Sequence, residues 1–255
     1  MKKELEAFDR VLNILNELRV KCPWDRKQTM ESLRNLTIEE TYELADSILK
    51  KDMSELKKEL GDLLLHIVFY AKIADENSEF DITDVMYSLC EKLISRHPHV
   101  FGDTKVKDHK EVEENWEQIK MKEGYKSILS GVPNSLPAMV KSNRIQQKVR
   151  GVGFDWERKD QIWDKVREEL GELQEEVKNG DQKKIESEFG DLLFSVINAA
   201  RLYDIDPENA LEKTNHKFIK RFTYLEENTL SKGIQLKNMT LDEMNVIWEE
   251  AKKFD

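Results

Sequence analysis

Glycine, proline and cysteine are scarce in this sequence of 255 residues, which contains 10, 5 and 2 of them. Because glycine and proline disfavour helix interiors, their scarcity predicts long helices joined by few turns. The two cysteines, Cys22 and Cys90, are far apart in the sequence. They cannot form a disulfide framework, and we expect both to be reduced thiols.

Long hydrophobic segments are also absent. The longest apolar run, residues 63–74, is interrupted by His66 and Lys72 and is too short to span a bilayer. The N-terminal residues, M-K-K-E-L-E-A-F-D, lack the apolar core of a signal peptide. These observations predict a soluble cytoplasmic protein with no membrane contact.

An excess of positive charge is missing as well, since the formal net charge is -10. A nucleic-acid-binding surface requires a basic stripe, so no direct nucleic-acid binding is expected. A small phosphorylated ligand, held by a few lysines and by metal ions, remains compatible with this charge.

Charged residues (36%) and hydrophobic residues (39%) are abundant, as in an all-helical protein. The capping-box pattern Thr37–Glu40 predicts a helix start at Thr37. The run L-L-L-H-I-V-F-Y-A from Leu63 is apolar on every side, which predicts a helix buried on every side. Apolar spacing predicts helices at residues 3–19, 37–50, 53–76, 82–97, 108–122, 160–178, 182–203, 207–228 and 241–253.

A pattern of carboxylates occurs twice. Glu39, Glu40, Glu43, Asp52, Glu59 and Asp62 recur 129 positions later as Glu168, Glu169, Glu172, Asp181, Glu188 and Asp191. A repeat of this length indicates two related units. We predict an N-terminal unit at 1–123, a linker rich in Gly, Pro and Ser at 124–137, and a C-terminal unit at 138–255.

The acids of each copy lie on two predicted helices joined by a short turn, which favours an antiparallel hairpin. Residues three apart share a helix face, so the acids of both helices can meet in one cleft. Clustered carboxylates raise one another's pKa unless cations neutralise them, and Mg²⁺ prefers oxygen ligands. The alternative is a solvated acidic surface, but the repeat favours a metal site. The candidate ligands are Glu169, Glu172, Glu188 and Asp191, and in a second candidate site Glu40, Glu43, Glu59 and Asp62.

Two other metal centres fit the sequence less well. A di-iron bundle requires Glu-x-x-His on two helices, and no histidine here has Glu three residues before it. His97 and His99 have no Cys or third His nearby, so we expect a structural or surface role for them.

Basic residues near the second acidic copy form a candidate phosphate clamp. Lys165 and Lys184 lie one helical turn before two of the acids, and Trp248 offers a surface on which a base can stack. The alternative is a set of local salt bridges, each of small energetic value. The full candidate set is Lys165, Lys184, Lys217, Arg221, Trp248 and Lys252.

The first acidic copy has a poorer clamp. It keeps the Lys92/Arg96 and Trp116/Lys120 spacings, but Leu36 and Glu55 stand where the offset of 129 places Lys165 and Lys184. We therefore predict that the C-terminal unit is the better catalyst.

Together with C-P-W-D at 22–25, R-H-P-H-V-F at 96–101 and G-V-G-F-D-W at 151–156, the acidic hairpins resemble the MazG family of all-α nucleoside triphosphate pyrophosphohydrolases. The resemblance covers nearly the whole chain. It implies an all-α fold of two tandem four-helix units, arranged as helical bundles that dimerise.

The resemblance also implies hydrolysis of nucleoside triphosphates to the monophosphate and pyrophosphate, with Mg²⁺ (or Mn²⁺) at the four C-terminal acids. The six clamp residues would then contact the nucleotide, and Glu168 or Glu172 would orient or deprotonate the water. A homodimer with a weak or inactive N-terminal unit is expected.

Two alternatives remain open. One is a narrower enzyme of the same superfamily, such as a dUTP or phosphoribosyl-ATP hydrolase. The other is a non-catalytic helical dimer that binds nucleotide or a protein partner. The intact acids and clamp of the C-terminal unit favour an enzyme.

Overall fold

The structure is a computed structural model that describes residues 2–108, 111–112, 115–116, 119, 127–231 and 233–254. Every regular element among these residues is helical, which confirms the predicted all-α class. No described helix has the length and apolarity needed to cross a membrane. The helices are α1 (Lys2–Lys21), α2 (Met30–Lys50), α3 (Met53–Glu76), α4 (Ile82–Arg96), α5 (Pro98–Phe101), α6 (Ala138–Arg150), α7 (Ile162–Asn179), α8 (Gln182–Leu202), α9 (Pro207–Leu230) and α10 (Leu241–Ala251).

The chain divides into two compact units, Met1–Lys105 (unit one) and Val106–Asp255 (unit two). The linker predicted at 124–137 falls within unit two by this division, and its first three residues lie outside the described part of the chain. The predicted helix at 108–122 and Lys120 are also largely or wholly outside it.

Unit one is built around the hairpin of α2 and α3. The turn between these helices places Lys51 in the left-handed region (φ 57°). The Asp52 side chain then accepts hydrogen bonds from the Ser54 and Glu55 backbone N–H groups, each at 3.0 Å. Asp52 therefore caps the start of α3. The core of this unit is formed by Leu15, Leu33, Val68, Phe69 and Ile73.

The predicted start of α2 at Thr37 is wrong. The helix begins at Met30, and Thr29 and Ser32 form its capping box with bonds of 2.9 and 3.2 Å. Burial of Leu33, which is 1% exposed, stabilises these additional helical turns. Thr37 lies inside the helix, where its hydroxyl donates to the Leu33 carbonyl and contacts the Tyr70 hydroxyl at 2.7 Å.

The prediction that α3 is buried on every side is also wrong for the described chain. Val68 and Phe69 are each 1% exposed, whereas Leu64 and Ile67 are 38% and 51% exposed. Periodicity identifies apolar faces, but it does not show whether a neighbouring element covers each of them.

Unit two repeats the hairpin with α7 and α8. Gly180 ends α7 with φ 76°, and the Asp181 side chain accepts from the Lys183 backbone N–H at 3.1 Å. Thr240 and Glu243 form the capping box of α10. These residues therefore mark the end of α7 and the starts of α8 and α10.

Helix α6 was not predicted. Its buried residues Asn143, Gln146 and Lys148 are polar, so the buried side of this helix is not the apolar stripe on which such predictions depend. The Gln146 amide donates to the Phe194 carbonyl on α8 at 2.9 Å, and Asn143 donates to Asp206 at 3.3 Å. Hydrogen bonds rather than apolar contacts therefore define part of this packing.

A buried ion pair fastens the segment before α7 to α8. The Arg201 side chain, only 6% exposed, binds both oxygens of Asp155, and one of these bonds is 3.0 Å. Burial opposes ionisation of Asp155, but hydrogen bonds from Arg201 and the Trp156 backbone, together with the charges of Arg201 and Arg150, outweigh it and lower the pKa of the carboxyl. Asp155 therefore ties the G-V-G-F-D-W segment to the hairpin.

We expect Asp155→Asn to reduce the free energy of unfolding of unit two by about 3 kcal/mol at neutral pH, because Arg201 is left buried and unpaired. The folded-state pKa of Asp155 is lowered, so its contribution is present above the ordinary pKa near 4 and is lost as the pH falls through the folded value. Thermal unfolding of the wild type and of Asp155→Asn at pH 7 and pH 3 measures this. The difference in stability between the two proteins should be smaller at pH 3.

The matched control is Asp160→Asn, since Asp160 pairs with Arg158 at 3.0 Å with both side chains 70% exposed. Surface pairs contribute about 1 kcal/mol or less. Equal destabilisation by the two variants at pH 7 would contradict the role assigned to Asp155.

Candidate functional site

The α7–α8 hairpin brings three of the predicted acids together. Carboxylate oxygens of Glu169, Glu172 and Glu188 lie within 4.8 Å of one another. Glu169 is 7% exposed, and a glutamate is rarely buried to this degree unless it has a partner. The fourth predicted ligand, Asp191, is exposed one turn beyond Glu188 and is not part of this close group. We call Glu169, Glu172 and Glu188 the unit-two cluster.

The cluster is electrostatically unfavourable without a cation. Burial raises the pKa of Glu188, and the negative charges of Glu172, Asp191 and Glu169 raise it further. Such a group either binds a proton or is neutralised by positive charge. Its donors are all carboxylate oxygens, which fit a hard divalent cation.

Lys165 lies at the edge of the cluster. Its Nζ is 2.7 Å from Glu169 and 2.9 Å from Glu168. Hydrogen bonds to Glu169 and Glu168 raise the pKa of the lysine above its ordinary value, so it stays charged. The local ion pair that we considered as the alternative is therefore present, and it places a cation beside the acids.

Lys184 lies at the other end of the hairpin, and its ammonium is 3.5 Å from Glu176. Glu176 was not among the predicted site residues. Comparison of the two copies of the repeat could have identified it. Unit one has Ser47 at the equivalent position, 129 residues earlier, so the acid at 176 is a difference between the two units.

The remaining clamp residues lie on α9, α10 and the 3₁₀ helix that follows α10. The Arg221 guanidinium stands over the Trp248 ring at 5.7 Å from its centroid, and the Phe218 ring centroid is 5.0 Å from that of Trp248. Lys217 is exposed on α9, and Lys252 forms an ion pair with Glu249. The structure thus brings Arg221 and Trp248 together, as one basic and aromatic surface.

Unit one has a related cluster formed by Glu40, Glu59 and Asp62, again with oxygens within 4.8 Å of one another. Its fourth predicted acid, Glu43, is exposed and outside the close group. Burial raises the pKa of Glu59 to about 7, with further contributions from a hydrogen bond with Glu55 and from the charge of Glu43. We call these three acids the unit-one cluster.

Fold and site together define an all-helical protein with tandem carboxylate clusters, each built on a two-helix hairpin. Comparison with known proteins identifies its family. The profile of the MazG nucleotide pyrophosphohydrolase domain matches residues 28–101 and 158–225. Both matched segments contain one of the hairpins, and the chain belongs to the MazG family.

Curated relatives agree with this assignment over almost their whole length. A nucleoside triphosphate pyrophosphohydrolase of Escherichia coli strain K12 is 40% identical over 258 residues, covering 98% of each chain. A nucleoside triphosphate pyrophosphohydrolase/pyrophosphatase MazG of Thermotoga maritima is 42% identical over 260 residues, covering 100% of this chain and 99% of the relative. A crystal structure of a MazG-related protein from Thermotoga maritima is similar with 29% identity and a TM-score of 0.40, covering 44% of this chain and 98% of that one.

Proposed function

We propose that this protein hydrolyses nucleoside triphosphates between the α and β phosphates, releasing the nucleoside monophosphate and pyrophosphate. The convergence of Glu169, Glu172 and Glu188 on one hairpin carries the proposal. Relatives that match the whole chain and are named for this activity support it. The biological role we propose is control or cleaning of the nucleotide pool, in the cytoplasm.

Mg²⁺ is the metal ion that we propose for the site, with Mn²⁺ as the alternative. Glu169, Glu172 and Glu188 would hold it, with Asp191 completing the set from the next turn of α8. When bound, such an ion neutralises triphosphate charge and lowers the pKa of a water ligand. The all-oxygen donor set and the raised pKa of Glu188 support this choice.

The protein side chains have separate parts in this proposal. Lys165 and Lys184 would bind phosphate oxygens, and Lys217, Arg221 and Lys252 would contact the rest of the nucleotide, with Trp248 against the base. Glu168 or Glu172 would accept the proton of the attacking water. The water oxygen then bonds to the α-phosphorus as the bond to pyrophosphate breaks.

We further propose that the protein is a homodimer. Leu64 and Ile67 on α3 are exposed, and so are their equivalents at the offset of 129, Leu193 (57%) and Val196 (44%) on α8. Monomeric proteins rarely leave contiguous apolar patches in water, so a second copy is the proposed cover.

Product analysis tests the proposed activity. Each nucleoside triphosphate is incubated with protein and Mg²⁺, and ³¹P NMR follows the phosphorus species. We expect pyrophosphate and the monophosphate in equal amounts. Orthophosphate with the diphosphate would refute cleavage at the α-phosphorus, and nucleotide binding without turnover would favour the non-catalytic helical dimer.

A further inference from the structure

We infer that Glu176 is a positioning residue that holds the ammonium of Lys184 at the edge of the unit-two cluster. The inference rests on the proposed function, in which Lys184 binds a phosphate. Glu176 lies on α7 one turn beyond Glu172, and its side chain is 19% exposed. One carboxylate oxygen is 3.5 Å from the Lys184 Nζ.

The other oxygen of Glu176, Oε2, is buried and makes no hydrogen bond among the described residues. Burying a carboxylate oxygen without a hydrogen-bond partner is unfavourable, and a glutamine or apolar side chain would be easier to accommodate. A purely structural role therefore does not account for a carboxylate at this position. The feature that distinguishes Glu176 is its contact with the Lys184 ammonium.

Glu176 also lies on the side of α7 that carries the cluster, because residues four apart share a helix face and Glu172 lies four residues before it. Its charge is one of those that raise the pKa of Glu188, after burial and the charges of Glu172, Asp191 and Glu169. A lysine held by Glu176 is thus held beside the acids. Lys184 itself is 62% exposed, which leaves its donors accessible to a ligand.

In unit one the residue at the position of Lys184 contacts an acid of the unit-one cluster. The equivalent residue is Glu55, which hydrogen bonds to Glu59, and Glu59 is the equivalent of Glu188. The equivalent of Glu176 is Ser47, whose hydroxyl donates to the Leu44 carbonyl of its own helix at 2.8 Å. Unit one thus lacks both members of the pair.

The pair has a specific physical use. A free lysine loses side-chain entropy when it binds a phosphate, and a tether that restricts the side chain beforehand reduces this loss. The ammonium has three donors, so it can bind Glu176 and phosphate oxygens at the same time. Glu176 acts through Lys184, and no contact of its own with the substrate is required.

The test is a double-mutant cycle in the full chain with Glu176→Gln and Lys184→Met. We expect Glu176→Gln to raise the KM for the triphosphate about fivefold, as for loss of a partly exposed ion pair, with kcat changed less than about twofold. In the Lys184→Met background the same substitution should have no further effect, because its partner is gone. Glu175→Gln, at the exposed neighbouring position, is the matched control.

Independent effects of Glu176→Gln and Lys184→Met on KM would overturn the inference, as would a KM equal to that of the Glu175→Gln control. A lower thermal stability with an unchanged KM would assign Glu176 a structural role instead. Binding of a triphosphate analogue with an α,β-methylene bridge is measured on the same variants. This second measurement reports the coupling between Glu176 and Lys184 even if the wild type releases no pyrophosphate. Failure of the inference can therefore be told apart from failure of the proposed function.

Discussion

Glu172→Gln is expected to lower turnover by at least about a hundredfold, because a metal ligand contributes several kcal/mol of transition-state stabilisation. Glu43→Gln, the same substitution in unit one, is expected to retain most of the wild-type turnover. Both residues are exposed and occupy equivalent positions on their hairpins, so the two variants are matched in chemistry and in sequence position, while only Glu172 belongs to a close cluster of acids. Initial rates of pyrophosphate release with Mg²⁺ give the comparison.

The expected asymmetry has two physical causes. Unit two places Lys165 within 2.9 Å of two acids and Lys184 within 3.5 Å of Glu176, whereas unit one has Leu36 and Glu55 at the lysine positions. The raised pKa of Glu59, about 7, also leaves the unit-one cluster partly protonated at neutral pH. Because metal ligands must be deprotonated, this cluster binds a cation less well as the pH falls.

Thermal unfolding and circular dichroism of both variants serve as the control for folding. A larger loss of activity in Glu43→Gln than in Glu172→Gln would reject the assignment of unit two as the main catalyst. A hundredfold loss in both variants would indicate that the units act together.

The hairpins could be predicted from sequence because their signals are local. A cap needs only a side-chain oxygen and the next few backbone N–H groups, as Asp52 and Asp181 show. The start of α2 could not be predicted in this way, because two capping patterns compete, one at Thr29 and one at Thr37. Burial of Leu33 in the unit-one core decides between them, and that contact involves distant parts of the chain.

The exposure of α3 and the existence of α6 were missed for a related reason. Periodicity reports which residues share a face, but not what lies against that face. Leu64 and Ile67 are apolar and exposed, whereas Asn143 and Gln146 are polar and buried. Helix α6 packs through side-chain hydrogen bonds to the Phe194 carbonyl and to Asp206, which have no periodic signature.

The candidate site was largely accessible from sequence, because i,i+3 spacing on two helices places acids on one face. Glu169, Glu172 and Glu188 do converge. Their distances from Asp191, and the contact of Glu176 with Lys184, depend on the rotation of α7 and α8 about their axes. That rotation is determined by packing, so only a three-dimensional structure gives it.

Removal of divalent cations is expected to abolish turnover, and adding Mg²⁺ back in excess of the chelator should restore it. The physical reason is the concentration of negative charge, since a triphosphate cannot approach Glu169, Glu172 and Glu188 without positive charge between them. Dialysis against EDTA followed by titration with Mg²⁺ or Mn²⁺, with pyrophosphate release as the readout, measures this dependence.

The same titration predicts a stability effect that does not require turnover. A cation bound to the folded cluster relieves repulsion among the acids and stabilises unit two by about 2.7 kcal/mol at a concentration 100 times its Kd. The melting temperature of the wild type should therefore rise with Mg²⁺, and that of Glu172→Gln should rise less at the same concentration. Full activity in EDTA would contradict the metal assignment. An equal rise in melting temperature for both proteins would place the stabilising cation at a site that does not include Glu172.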